Sequence, residues 1–243
     1  FGVMVQPQQS KYIQDYQGVH VDTVRNVVNV SPTLDFRYRF SKMSNLRINY
    51  RGTTSQPSIS QLLDITDNSD PLNISMGNPG LKPSFTQNFR LFYNNFVQNH
   101  NKGIMTFVNF STTNNSISNK VTYDETTGGR ITRPENINGN WNAMGAFMFN
   151  CSIDSAGVWN INTGAHANYN NYVSYLSLDK KSDSQKNTTR SITWRQNLSF
   201  SYRNDWAEFS LDGTLTYNKA KNKLQPTSNL ETWQFSYGPS MTL

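Results

Sequence analysis

The chain has 243 residues and a formal net charge of +6, and only 35% of its residues are hydrophobic although 13% are aromatic. Its many aromatic residues argue against a disordered chain, and its lack of long apolar runs argues against a globular α/β enzyme. The composition, with abundant Asn, Ser and Thr, favours β structure with a largely wet surface.

An alternation of apolar and polar residues with period two predicts strands along the chain. The first predicted strands are residues 27–40 and 44–54, and two more are residues 189–203 and 206–218. Each strand has one apolar and one polar face, because successive side chains point to opposite sides. In the first strand the apolar face carries Leu34, Phe36, Tyr38 and Phe40, and the polar face carries Asp35, Arg37 and Arg39.

The length of these strands separates two architectures that share the alternation. Strands of a β-sandwich usually have about 5–6 residues, whereas strands that cross a membrane need about 9–11. All four predicted strands reach the longer value. Residues 131–153 are predicted as one very long strand, interrupted by a bulge at Asn138-Gly139-Asn140.

The connections between predicted strands alternate in length. Short connections are predicted at residues 41–44, 98–102, 154–157 and 204–205, and long ones at 10–23, 58–83, 172–188 and 219–229. The hairpin at residues 125–129 fits the long side if its strands project beyond the membrane. Short turns on one rim and long loops on the other are typical of outer-membrane barrels. The sequence therefore predicts an all-β, antiparallel up-and-down transmembrane β-barrel, here a partial barrel of about ten long strands.

One long connection carries a recognisable segment, Gly77-Asn78-Pro79-Gly80-Leu81-Lys82-Pro83-Ser84. It resembles the GNPxLKPE signature of TonB-dependent receptors, with Ser84 where that family usually has Glu. Residues 46–51, 56–62, 123–129 and 138–142 are similar to other segments of the same barrels, in the same order. The resemblance covers the chain from about residue 27 to its end.

This resemblance implies a location in the outer membrane and a role in active nutrient import. Full members of the family are barrels of about 22 strands with an N-terminal plug domain, on which the periplasmic protein TonB pulls. Nothing in the chain resembles a plug. We therefore expect residues 1–243 to be one barrel region, the C-terminal part of a receptor. Its partners would be outer-membrane lipid, the rest of the barrel, the plug and, through the plug, TonB.

Two alternatives remain open at this point. A soluble secreted β module that binds glycans or acts as an adhesin would produce the same alternation. A complete small structural barrel of ten strands would also do so. The aromatic residues separate the first alternative from a barrel, because they form a dry core in a sandwich and girdles at the headgroups in a membrane. The candidate girdle residues are Tyr38, Phe40, Tyr50, Trp194 and Tyr202.

The signature segment also has a physical interpretation. A residue that precedes a proline is extended, so Asn78-Pro79 and Lys82-Pro83 predict a stiff descent into the next strand. Gly77 and Gly80 supply backbone freedom between these two dipeptides. We expect the segment to be structural and not to bind a ligand.

No motif in the sequence predicts catalysis or a cofactor site, so we expect no enzymatic activity. Asp64, Asp67 and Asp70 could hold Ca²⁺, but their spacing is not that of an EF-hand, and a polar loop is favoured. The arginines are spread over separate predicted strands, which favours a solvated strand face and not a nucleic-acid interface. Four tyrosines in predicted long loops are candidates for stacking on a sugar or apolar ligand: Tyr12, Tyr16, Tyr172 and Tyr175.

Overall fold

The computed structural model describes residues 1–16, 19–63, 66–67 and 69–242, without the side chains of Gln14, Tyr16, Val19, Val21 and His100. The only α-helix in these ranges is the four-residue α1 (Ile59–Leu62). None of the helices described is long and apolar enough to cross a membrane. The strands are β1 (Gly2–Tyr16), β2 (Val19–Ser41), β3 (Ser44–Ser55), β4 (Thr66–Asp67), β5 (Asn73–Met76), β6 (Ser84–Val97), β7 (Lys102–Asn114), β8 (Ser116–Tyr123), β9 (Arg130–Ile137), β10 (Asn140–Ser152), β11 (Trp159–Leu176), β12 (Gln185–Arg203), β13 (Glu208–Asn222) and β14 (Leu230–Thr242).

Ten of the strands form one antiparallel sheet in the order β1-β2-β3-β6-β7-β10-β11-β12-β13-β14. Neighbours in the sheet follow one another along the chain, so the sheet is an up-and-down meander. Its shortest strand, β3, has 12 residues, which is enough to cross a membrane. Among the described residues β1 pairs with β2 alone and β14 with β13 alone, so the sheet has two edges. The structure confirms the predicted all-β, up-and-down arrangement of about ten long strands.

The connections alternate between the two ends of the sheet as predicted. One end, the short-turn rim, carries residues 42–43, 98–101, 153–158 and 204–207. The other end, the long-loop rim, carries residues 56–83, 115–139, 177–184 and 223–229. The connection between β1 and β2 also belongs to the long-loop rim, but residues 17–18 lie outside the described part of the chain.

The prediction of a loop at residues 10–23 is wrong. β1 and β2 pair continuously from Gly2 opposite Thr33 to Tyr16 opposite Val19. This part of the hairpin carries polar residues on both faces, so it lacks the alternation by which the other strands are predicted. The loop predicted at residues 172–188 is likewise too long, because β11 continues to Leu176 and β12 begins at Gln185.

The prediction of one bulged strand over residues 131–153 is also wrong. β9 ends at Ile137, β10 begins at Asn140, and the two strands belong to different sheets. Both arms of this long hairpin break at the same height, where Gly139 has φ +118° and Asn115 has φ +54°. Beyond the break, β8 and β9 project from the rim and form a second sheet with β4 and β5.

One face of the ten-stranded sheet is apolar and open. Leu198 is 54% exposed, Phe36 is 47% exposed and Phe235 is 70% exposed. The described buried apolar residues (Leu81, Ile137, Val173 and Ala207) lie at the ends of strands or beside them, and none lies in the middle of this face. A sandwich would bury such a face in a dry core, whereas a membrane wall presents it to lipid. Its central row includes Phe36, Ile48, Leu91 and Val108, which oppose one another on β2, β3, β6 and β7.

Aromatic rings border this apolar face in two bands. The band near the long-loop rim includes a chain of ring contacts through Tyr50, Phe89, Phe110, Trp141 and Tyr169. The band near the short-turn rim includes Trp159, Phe200, Tyr202 and Phe209. On β11, Trp159 and Tyr169 are separated by about 33 Å along the strand, or about 25 Å across the membrane at a tilt of about 40°. This separation matches the apolar band of outer-membrane barrels.

The alternation of faces on β12 allows a direct test in lipid vesicles. Replacing Leu198 by Arg places a charge in the middle of the apolar band, and we expect it to destabilise the folded protein by about 2–4 kcal/mol. Replacing the neighbouring Asn197 by Arg places the same charge on the polar face, and we expect a change below about 1 kcal/mol. Guanidinium titration of the full chain in vesicles measures both. Equal effects of the two substitutions would contradict the assignment of the faces.

Candidate functional site

Three connections of the long-loop rim pack into one folded unit, which we call the lobe: residues 56–83, 115–139 and 177–184. Within it β5 pairs in parallel with β9, and β8 pairs antiparallel with β9. The third connection joins through Ser184, whose backbone N–H donates to the Val121 carbonyl at 2.8 Å and whose Oγ accepts the Val121 N–H at 2.8 Å. The lobe therefore links segments that are far apart in the chain.

The signature segment forms a central part of the lobe, mainly through Asn78. The Asn78 amide Nδ2 donates to the Pro134 carbonyl at 2.8 Å. Its Oδ1 accepts the Gly80 N–H at 3.0 Å and an Arg133 guanidinium N–H at 3.2 Å. The backbone N–H of Asn78 donates to the carbonyl of Gln61, a residue of α1, at 2.6 Å. One side chain thus ties the descending segment to β9, and its backbone ties it to the helical turn.

The second half of the segment is held by Asn136. The Asn136 Oδ1 accepts the Lys82 N–H at 2.7 Å, and its Nδ2 donates to the Lys82 carbonyl at 3.0 Å and to the Asn115 carbonyl at 2.9 Å. Leu81 is buried here. Asn115 Nδ2 also donates to the Pro83 carbonyl at 3.5 Å. Asn136 thereby joins the segment to the Asn115 turn, and the structural role of the segment stays a prediction.

Close packing explains the glycine at position 77. A Cβ atom on Gly77 would lie 1.8 Å from the carbonyl oxygen of Leu63, which is a backbone atom and cannot rotate away. A Cβ atom on Gly80 would lie 3.2 Å from the Asn78 Oδ1, which belongs to a side chain. Only the first of these two glycines is required by its surroundings.

The candidate ligand tyrosines do not converge on one pocket. Tyr12 lies in β1, not in a loop, and lines a polar cavity of about 400 Å³ in the lobe together with Met76 and Asn119. Tyr172 lies in β11 and lines a separate cavity of about 200 Å³ beside Asn142. The prediction for the side chain of Tyr16 falls outside the described residues.

Tyr175 is held by contacts within the protein. Its hydroxyl donates to Glu135 Oε2 at 3.4 Å, and the Lys120 ammonium lies 5.8 Å from the centre of its ring. Lys120 also pairs with Glu135 at 3.6 Å. Burial, followed by the negative charge of Glu135, raises the pKa of Tyr175 above its ordinary value. This tyrosine joins β11 to the lobe, and the sequence alone does not show that role.

The acidic residues of the first loop cap turns. Asp70 accepts hydrogen bonds from Asn73 Nδ2 at 2.7 Å and from the Leu72 N–H at 3.0 Å, and these bonds lower the pKa of its carboxyl. Asp67 accepts the N–H and hydroxyl of Ser69. Asp64 lies outside the described residues. Among those described, no three His, Cys, Asp or Glu side chains are grouped so that they could hold a metal ion.

The polar face of the large sheet carries arginines that are dispersed along the sequence. Strand register places Arg37 opposite Arg47, and Asn49 opposite Arg90. Asp35 accepts hydrogen bonds from Arg37 Nε at 2.8 Å and Arg47 Nη2 at 3.0 Å. Because β2, β3 and β6 are adjacent, residues on separate strands form one group. The pairing of β2 with β3 across a two-residue turn is the signal that could have revealed it.

The turn at the tip of the lobe is capped by Asp124. Its Oδ2 accepts the Thr127 hydroxyl and its Oδ1 accepts the Thr126 N–H, both at 2.9 Å. These two hydrogen bonds, that of Thr127 first, lower the pKa of Asp124 below its ordinary value. A carboxyl whose pKa is lowered by folding stabilises the structure above its unfolded pKa, and that contribution disappears as the pH falls through its folded pKa.

Substitution of the two glycines tests the packing of the signature segment. We expect Gly77→Ala to destabilise the lobe by about 2–4 kcal/mol because the backbone must move away from Leu63. Gly80→Ala is the matched control, and we expect less than about 1 kcal/mol because the Asn78 side chain can shift. Chymotrypsin cleavage within residues 56–83 of the full protein in intact membranes measures lobe opening. Similar cleavage of both variants would refute the packing argument.

Acid should open the tip of the lobe. As the pH falls from about 5 to about 2, Asp124 becomes protonated and loses its charge-assisted hydrogen bonds, so we expect pepsin to cut within residues 123–129 at an increasing rate. Asp124→Asn cannot titrate and should lose this pH dependence. Denatured casein digested in parallel corrects for the pH profile of pepsin. A rise of the same size in the Asn variant would assign the effect to another group.

The comparisons with known proteins agree with this architecture. A search of curated protein sequences finds no match to the chain. The model of the outer membrane protein beta-barrel family matches residues 10–241, which is nearly the whole chain. The family, the exposed apolar face and the two rims agree on a location in the outer membrane, and a soluble secreted module is no longer a viable alternative. The chain therefore belongs to the outer membrane protein beta-barrel family.

Proposed function

We propose that the chain forms barrel wall and extracellular loops of a TonB-dependent outer-membrane receptor that imports a nutrient. The observation that carries this proposal is the signature segment, which resembles the one in TonB-dependent receptors and organises the lobe. Asn78 and Asn136 connect it to β9, and through the β8–β9 hairpin to residues 177–184.

The lobe supplies a surface suited to solute capture. Long loops of outer-membrane barrels face the exterior, so the lobe is extracellular in this proposal. Its cavity of about 400 Å³ is of the size of small-molecule sites. Polar and apolar side chains line it together, with Tyr12 among them. The polar face of the large sheet would line the lumen below it. Among the predicted ligand tyrosines whose side chains are described, Tyr12 is therefore the best placed.

The two edges of the sheet must find partners in the membrane. Backbone groups on the free edges of β1 and β14 have no ladder partner among the described residues. In lipid each unsatisfied group costs several kcal/mol, so the wall must close. We propose that further strands of a receptor complete it around a plug domain. A barrel of only ten strands would leave little room for a plug.

Binding of TonB to the full receptor tests the proposal. We expect the receptor, extracted in detergent, to bind the periplasmic domain of TonB from the same cell with a Kd in the micromolar range, measured by biolayer interferometry. An outer-membrane porin prepared in the same way serves as the control. Absence of binding, together with disulfide formation between cysteines introduced along β1 and β14, would instead establish a small complete barrel.

A further inference from the structure

The polar face of β2, β3 and β6 carries a concentrated positive charge. Four arginines surround one carboxylate, that of Asp35, and no other acidic residue lies on this face of the three strands. Residues on adjacent strands are about 4.8 Å apart, so the Cα atoms of neighbouring members lie within about 8 Å of one another. We call this set the arginine cluster: Arg37, Arg47, Arg51 and Arg90.

Asp35 orients the cluster without neutralising it. Arg37 Nε donates to one carboxylate oxygen at 2.8 Å, and Arg47 Nη2 and Asn49 Nδ2 donate to the other at 3.0 and 2.6 Å. A guanidinium has five N–H donors, so most donors of both arginines remain available. The side chains of Arg37 and Arg47 are 68% and 48% exposed. The cluster has three more positive charges than negative ones.

A cavity lies against the cluster. It measures about 440 Å³, and Arg47, Arg51 and Arg90 line it together with Asn49 and Asn88. This volume suits a small molecule, whereas an acidic protein segment would need a longer groove. Forked guanidinium donors match carboxylate and phosphate oxygens, and the Asn amides can bind hydroxyl or carbonyl groups of the same ligand. The positive charges of the arginines, set on a wall of low dielectric constant, also raise the local concentration of anions.

We propose that the arginine cluster is a binding site on the lumen wall for a small polyanionic solute that carries two or more carboxylate or phosphate groups. The proposal rests on the proposed function in one respect, namely that the polar face of β2, β3 and β6 lines the lumen of an importer. The solute would dock between Arg51 and Arg90, with Arg47 completing the site. Asp35 would oppose binding by competing for Arg37 and Arg47.

Calorimetric titration of the full protein in a nonionic detergent tests this site, with citrate and inorganic pyrophosphate as separate probes and sucrose as the uncharged control. We expect at least one of the two anions to bind with a Kd below about 1 mM at 50 mM NaCl, and tenfold or more weakly at about 500 mM NaCl. Arg51→Gln combined with Arg90→Gln should weaken binding at least tenfold. Asp35→Asn should strengthen it several-fold.

Arg195→Gln is the matched control. Arg195 lies on the same polar face, on β12, with His166 and Thr216 as its register neighbours and no second arginine beside it. We expect this variant to bind the anions within twofold of the wild type. An equal loss in Arg195→Gln would mean general charge attraction and would overturn the site. A difference in electrophoretic migration between heated and unheated samples verifies that each variant is folded.

The remaining outcomes separate this inference from its rivals. A folded protein that binds TonB but neither anion would overturn the inference and leave the proposed function intact. A protein that binds the anions but not TonB would overturn the proposed function and leave this inference intact. The third outcome combines absence of anion binding with shielding of Arg51→Cys, made in the Cys151→Ser background, from a charged maleimide. An acidic protein segment then covers the cluster, and the solute proposal fails.

Discussion

The structure depends on one constraint, which is that lipid offers no partner to a backbone N–H or carbonyl group. Every residue between the two aromatic bands must therefore pair with a neighbouring strand. The antiparallel registers from β1 to β14 meet this requirement except at the two edges and at a register shift between Arg39 and Ser41. Because lipid surrounds the wall, its side chains do not need to form a dry core. They can be apolar toward lipid and polar toward water at every second position, which explains why a chain with only 35% hydrophobic residues folds.

The sequence predicts the wall well because the wall is governed by a local rule. The alternation around Phe36 and Leu198 depends only on neighbouring residues, and the structure confirms both strands. The rule fails at residues 10–23, where both faces are polar, although pairing of Tyr12 opposite Thr23 continues the ladder. It fails again near Gly139, because a break between sheets and a bulge within one sheet have the same local signal. In both places the deciding contacts come from distant residues.

The same distinction applies to the candidate sites. The signature segment is recognisable in the sequence, but its partners Asn136 and Gln61 are not, because no local pattern marks them. Arg37 and Arg47 are ten residues apart in the chain and directly opposite in the sheet. The spacing of the arginines along the chain therefore does not predict how close together they lie in the sheet. The ligand tyrosines are predicted as loop residues, yet Tyr12 and Tyr172 lie in strands that extend beyond the membrane.

The bond between Ser184 and Val121 has a consequence for the order of folding. These residues are separated by 63 positions, so the lobe cannot be completed until β8 through β11 are in place. The lobe therefore forms late in barrel assembly. When it forms, a large part of the wall has already been inserted. An assembly that stalls halfway would carry β8 and β9 as an exposed hairpin with free edges. Such an intermediate is a natural target for proteolytic quality control before the protein reaches the surface.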